Sequence, residues 1–162
     1  MSKEKVLVYY GEGKGKSTSA LGHAIRAASQ GKNVIIIQFL KGKNEDEVSF
    51  IRRLEPEIKF FRFEKSQGDY DKLSEEEKQE ESMNIKNGFH FAKKVLVTGE
   101  CNVLILDEFL GLLDNRMISA EELEALLSSR SEDTEVILTG RVLDERFAEY
   151  ADEIYKIQVE KH

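Results

Sequence analysis

The stretch Val6-Leu7-Val8-Tyr9-Tyr10-Gly11-Glu12-Gly13-Lys14-Gly15-Lys16-Ser17-Thr18 decides how the rest of this chain is read. Its first part is short, apolar, β-branched and aromatic, and glycines end it, which predicts a strand over Val6–Tyr10. Its last part opens Ser17–Gln30, where Leu21, Ala24, Ile25 and Ala28 recur at spacings of three and four before Gly31. That pattern predicts a helix stopped by glycine. Between the two, Gly11, Gly13 and Gly15 allow the backbone to turn its N–H groups inward. The helix start adds unpaired N–H groups and a positive dipole end. A strand, a glycine-rich loop ending in Gly-Lys-Ser and a helix together make a phosphate cradle. Gly11, Glu12, Gly13, Lys14, Gly15, Lys16, Ser17 and Thr18 are therefore the candidate nucleotide-binding residues. In this reading Lys16 reaches phosphate oxygens and the Ser17 hydroxyl binds magnesium. The usual pattern has glycine where Tyr10 stands.

A phosphate loop needs a carboxylate opposite it, and Val103-Leu104-Ile105-Leu106-Asp107-Glu108 supplies one. An apolar run ending in two acids predicts a buried strand over Val103–Leu106 with carboxylates at its carboxyl end, where ligands of α/β sheets bind. Asp107 or Glu108 would hold magnesium, directly or through water.

The remaining segments alternate in kind. Val34–Phe39 is almost wholly apolar, as in a strand covered on both faces. Residues 44–55 predict a short charged helix and Glu57–Phe63 a strand. Ser74-Glu75-Glu76-Glu77 predicts a helix start with a capping box, the helix running through Phe89, Ala92 and Leu96 to Gly99. Ser119–Ser129 predicts a second boxed helix with Glu122, and Glu135–Thr139 a strand. Asp144–Tyr150 and Glu153–Val159 complete the pattern as a short helix and a last strand. This alternation indicates one α/β domain with a parallel sheet.

Composition narrows the partners. The 162 residues carry a net charge of −7, so the chain lacks the general positive field that draws nucleic acid or anionic lipid. Cys101 is the single cysteine, which excludes an intrachain disulfide and a paired-cysteine zinc site. With no evident basic neighbour in sequence, it is expected to be a packed residue and not a nucleophile. The apolar run after Met1–Lys5 is too short for a signal-peptide core, and no stretch is long enough to span a bilayer. The expected compartment is the cytoplasm. His23, His90 and His162 stand in no motif and are read as surface or packing residues.

Several segments in register resemble the ATP:cob(I)alamin (corrinoid) adenosyltransferases. They are the loop Gly11–Thr18 with its additional Lys14 and the following Ala20, Gln38-Phe39-Leu40-Lys41-Gly42, Leu106-Asp107-Glu108, Thr139-Gly140-Arg141 and Tyr150-Ala151-Asp152. The resemblance covers nearly all of residues 5–162. It implies a single P-loop nucleotide-binding domain over residues 1–162, three-layered and recombinase-like, with a mostly parallel sheet. It also implies a reaction, in which a corrinoid reduced to cobalt(I) attacks the 5′-carbon of ATP and triphosphate leaves. ATP is then co-substrate, Mg2+ the cofactor and the corrinoid the substrate, in cobalamin biosynthesis. Lys14, Lys16 and Arg141 become the candidate catalytic residues, neutralising charge on the departing triphosphate. Gln38 and Lys41 join the candidate ligand-binding residues, while Arg141 faces phosphate or ribose, or else pairs with a carboxylate. Partners implied are a homodimeric second copy and a flavoprotein reductant, with neither nucleic acid nor membrane.

The resemblance thins on the corrinoid side. Family members place phenylalanine and tryptophan after a glycine ahead of the long middle helix, whereas this chain has no tryptophan. Gly68-Asp69-Tyr70 stands in that place, so Tyr70 is either an aromatic contact to the corrinoid or an ordinary loop residue. The family's glycine-rich tail is not found after Lys161-His162. Two other readings use the same loop. A small-molecule kinase would transfer the γ-phosphoryl group, although the thymidine kinases also need a cysteine-rich zinc lasso. A regulatory ATP-binding module would need a water-positioning residue and a partner surface.

Overall fold

Each inner strand of the central sheet divides its side chains between two cores, one on each face. In the computed structural model, which describes residues 4–13, 15–39, 45–63 and 72–161 and only the backbone of 45–48, Val6 and Val8 point to one side and Leu7 and Tyr9 to the other. Ile35 and Ile37 alternate with Val34 and Ile36, Leu104 and Leu106 with Val103 and Ile105, and Val136 and Leu138 with Ile137. This period of two on strands apolar throughout is what a sheet covered on both faces requires.

The elements run β1 Val6–Tyr10, α1 Gly15–Ser29, β2 Val34–Gln38, α2 Glu45–Arg52, β3 Ile58–Arg62 and α3 Glu75–Thr98. They continue with β4 Val103–Asp107, α4 Leu110–Asp114, α5 Ala120–Ser128, β5 Glu135–Gly140, α6 Glu145–Ala148 and β6 Glu153–Lys156. The strands lie in the order β3-β2-β4-β5-β1-β6, and every pairing is parallel. Helix α1 packs its buried Ala20, Ala24 and Ala27 on one face, joined by Ile51 of α2. Small side chains let α1 lie close to the strands. The opposite face takes Ile85, Ala92, Val95 and Leu96 from α3, Leu110, Leu112 and Leu113 from α4, Leu123, Leu126 and Leu127 from α5, and Phe147 from α6. The result is a three-layer α/β architecture, as expected.

Both capping boxes form. Ser74 accepts from the Glu77 N–H at 3.1 Å while the Glu77 carboxylate accepts the Ser74 N–H, and Ser119 and Glu122 do the same for α5. Gly99 closes α3 at φ 64, a left-handed conformation in which glycine has no Cβ to clash. The differences lie at the ends and in one short element. Helix α1 begins at Gly15, two residues before the expected start, and β6 stops at Lys156, short of Val159. Helix α4 has no counterpart among the expected elements, because five residues are too few to display a helical period. The segment Tyr150-Ala151-Asp152 anchors the sheet. Asp152 accepts the Val6 N–H through Oδ2 at 2.7 Å and donates its own N–H to the Val6 carbonyl at 2.8 Å. Together these bonds fasten the start of β1.

Candidate functional site

Three strand ends bring the polar residues of the sheet together. Gln38 closes β2 and is the register partner of Asp107, which closes β4. Thr139 follows Leu138, the register partner of Leu106, and so flanks Asp107 from β5. All three are buried at the carboxyl ends of strands whose middles are apolar. Burial at that place demands mutual satisfaction. Asp107 Oδ1 accepts from Ser17 Oγ at 2.8 Å and from Thr139 Oγ1 at 2.7 Å, and Oδ2 accepts from Gln38 Nε2 at 3.1 Å.

The loop closes over this row from β1. Lys16, only 3% exposed, points its Nζ to the Gly13 carbonyl at 3.3 Å and to Glu108 Oε1 at 3.4 Å. Glu108 itself stands at φ 60, which a side chain seldom tolerates outside functional or strained sites. Its backbone N–H donates to Thr139 Oγ1 at 2.9 Å, so the unusual conformation is tied down. Glu108 Oε1 is buried without a hydrogen-bond donor among the described residues, apart from the longer ion-pair contact with Lys16.

The loop glycines have a second purpose that the sequence did not reveal. A Cβ on Gly11, at φ 136, would stand 2.0 Å from the carbonyl oxygen of Ile157. On Gly15 it would meet Ile157 Cγ2 at 2.8 Å, and on Gly13 Val159 Cγ2 at 3.0 Å. The chain after β6 thus lies directly against the loop and is held there by the Ile157 N–H donating to the Tyr10 carbonyl at 2.8 Å. Tyr10 is the last residue of β1, paired with Gly140 and Lys156 and packed on the core. The tight turn therefore begins at Gly11, which explains how a tyrosine fits at a position usually glycine.

Of the expected ligand residues, Gly11, Glu12, Gly13, Gly15, Lys16, Ser17, Thr18, Gln38, Asp107, Glu108 and Arg141 gather at this carboxyl edge. Glu12, Gly13 and Thr18 are exposed. Gln38 is fully buried behind Asp107, with Oε1 unpaired among the described residues. Arg141 is exposed one residue beyond Gly140, whose carbonyl accepts the Gly11 N–H at 3.1 Å. Lys14, Lys41 and Tyr70 lie outside the described residues, as does His162. Thr139 belongs to a segment that carries the family resemblance, but sequence reasoning assigns it no role. Its one signal is a hydroxyl at the end of an apolar strand.

The other reactive side chains lie elsewhere. His23 Nε2 meets Glu135 Oε1 at 2.5 Å, joining α1 to the first residue of β5 at the far end of that strand. Burial pushes the Cys101 thiol up to about 12, with the nearby Glu100 carboxylate adding to it. Such a thiol is a packing group, as its sequence context implied.

Known proteins share both this fold and this sequence pattern. A protein of Pyrococcus horikoshii OT3 described as KaiC-like superposes with a TM-score of 0.62 at 16% identity, covering 99% of this chain and 75% of its own. That likeness concerns the fold. Corrinoid adenosyltransferases of Escherichia coli K12 and Pseudomonas aeruginosa are 29% and 27% identical over 97% of this chain, which spans 78% and 76% of their lengths. An uncharacterized protein of Nostoc sp. strain PCC 7120 is 33% identical over 83% of this chain, which spans only 38% of that relative. The family described as ATP:corrinoid adenosyltransferase BtuR/CobO/CobP matches residues 2–162. The chain belongs to that family of corrinoid adenosyltransferases.

Proposed function

We propose that this protein is a single-domain transferase that moves the 5′-deoxyadenosyl group of ATP to the cobalt(I) of a reduced corrinoid, with triphosphate as leaving group. The observation that carries this reading is the contact of Ser17 with Asp107 beside a buried Lys16, in a chain matched by the family throughout. The cobalt electron pair forms the new bond to C5′, the C5′–O bond breaks, and its electrons leave with triphosphate. The reaction requires no protein nucleophile or general base, because the nucleophile is the metal of the substrate.

Lys16 is placed to exchange its contact with Glu108 for a phosphate oxygen. Lys14 and Arg141 are assigned to the same developing charge, and Glu12 and Thr18 to the outer rim of the ligand. Prepositioned charge of this kind is commonly the largest contribution to catalysis. The oxygen-rich set of Ser17 Oγ, Asp107 and Glu108 fits Mg2+, which prefers hard oxygen donors and keeps several waters, needing few protein ligands. When bound, the ion supplies charge that favours triphosphate departure. Ser17 and Asp107 would hold it, with Glu108 Oε1, buried and lacking a hydrogen-bond donor among the described residues, as the further oxygen. Gln38 supports Asp107, and Lys41 and Tyr70 are assigned to ligand binding, Tyr70 toward the corrinoid. The same reading takes a flavoprotein as reductant, a homodimer as the assembly, the cytoplasm as the compartment and cobalamin biosynthesis as the setting.

Product analysis tests this reading. The protein is incubated with ATP, Mg2+ and a chemically reduced corrinoid, and the phosphorus products and corrinoid spectrum are followed. Intact triphosphate with an adenosylated corrinoid supports the reading. ADP formed without change at cobalt would exclude it in favour of phosphoryl transfer.

A further inference from the structure

We infer that Thr139 is a positioning residue that sets both carboxylates of the site through one hydroxyl. Its single proton goes to Asp107 Oδ1 at 2.7 Å, and its oxygen accepts the Glu108 N–H at 2.9 Å. Both bonds run from β5 to the end of β4, and Thr139 is entirely buried. With donor and acceptor both committed, the hydroxyl has one rotamer that satisfies the site.

Each bond fixes a different property. The bond to Asp107 shares Oδ1 with Ser17 Oγ, so it sets how the carboxylate faces the hydroxyl of the phosphate loop. The bond to the Glu108 N–H holds a backbone at φ 60, which directs the side chain toward Lys16. Valine has the shape of threonine but neither donates nor accepts. In its place Asp107 Oδ1 loses one of its two donors and is held only by Ser17 and, through Oδ2, by Gln38, while the Glu108 N–H is left buried without its acceptor. The consequence falls on the coupling between Mg2+ and ATP, because Ser17, Asp107 and Glu108 are the residues that would hold that ion. This inference rests on the proposed Mg2+–ATP reading of the site. Thr139 touches neither ligand in this reading and acts through the two acids.

The experiment measures ATP affinity by calorimetry with Mg2+ and with EDTA, and takes the ratio as the coupling. Thr139→Val and Thr139→Ala are each expected to lose at least tenfold of the coupling ratio, while affinity in EDTA changes less than threefold. Thr139→Ser keeps the hydroxyl and is expected to keep the coupling within threefold of wild type. Wild-type coupling in either folded hydroxyl-free variant overturns the inference, as does a tenfold loss in Thr139→Ser. Unfolding of both hydroxyl-free variants, judged by circular dichroism, assigns the hydroxyl to stability alone and also overturns it. A wild-type protein without Mg2+-dependent ATP binding removes the underlying site reading as well, which separates that failure from failure of the Thr139 role.

Discussion

Lys16 Nζ and Glu108 Oε1 lie 3.4 Å apart at the carboxyl edge of the sheet, with Lys16 3% and Glu108 8% exposed. Each is the other's buried countercharge. Removing one partner leaves an uncompensated charge, which costs about 3 kcal/mol or more in buried pairs. Lys16→Met is therefore expected to lower stability by about 3 kcal/mol and to weaken ATP binding at least a hundredfold. Combining it with Glu108→Gln should recover most of the stability, since the pair no longer leaves Glu108 without its countercharge. ATP binding should stay lost, because neither new side chain carries the cation. Urea unfolding and calorimetry on the four members of the cycle separate the two effects. An unchanged ATP affinity in Lys16→Met would refute the loop assignment.

The loop glycines predict a graded response to alanine. At Gly11 the added methyl meets backbone, the Ile157 carbonyl oxygen at 2.0 Å, and φ is 136. At Gly15 it meets only a side-chain methyl, Ile157 Cγ2 at 2.8 Å. Overpacking of this sort costs about 1–3 kcal/mol where neighbours can move, and more where they cannot. Gly15→Ala should thus be relieved in an Ile157→Ala background, whereas Gly11→Ala should not. Thermal unfolding of the single and double variants checks this, and equal relief at both sites would show that the close approach of Ile157 is not what constrains the loop.

These two cases separate what local sequence discloses from what only the fold creates. The loop, the acids ending β4 and both capping boxes are local patterns, so Ser74 with Glu77 and Asp107 after Leu106 were legible from their neighbours alone. Ile157 against Gly11 joins residues distant in sequence, and no local pattern marks that approach. Thr139 is similar: its hydroxyl acquires meaning only when β5 is placed beside β4. Helix α4 escaped because its Leu110, Leu112 and Leu113 lie in an apolar run too short to distinguish a helix from a strand. The strand order β3-β2-β4-β5-β1-β6 depends on which crossover packs against which face, which the alternation of elements does not specify.

Cys101 offers a test of burial by pH. Its thiol is raised from 9.0 to about 12, chiefly because burial disfavours the thiolate. A raised folded value means that the folded state holds its proton longer than the unfolded chain. The stabilisation is fully present below about pH 9 and is lost as pH rises from there through about 12. A Cys101→Ala variant should therefore show a shallower fall in urea midpoint over that window, whatever its stability at neutral pH. The native thiol should also resist a disulfide reagent in mildly alkaline buffer and react at once in denaturant. Fast reaction in the native state would mean that the site between α3 and β4 opens readily.

Gln38 and Asp107 share a bond but should differ sharply on substitution. Asp107 accepts three bonds, from Ser17, Thr139 and Gln38, all of which point donors toward it. Asp107→Asn replaces the charged acceptor by a neutral amide, so its charge-assisted bonds weaken and Gln38 must turn its own amide to meet the new NH2 group. A loss of about 2 kcal/mol is expected. Gln38→Leu removes only one of the three bonds, and it also removes Oε1, which is buried and unpaired among the described residues. Relief of that unpaired oxygen is worth about 1–3 kcal/mol, comparable with the bond given up. Gln38→Leu should therefore stay within about 1 kcal/mol of wild type, since the two effects oppose. Urea unfolding of both variants decides the matter. If Gln38→Leu proves the more damaging, the bond from Gln38 to Asp107 outweighs the relief of Oε1, and Gln38 is what chiefly holds the carboxylate in place.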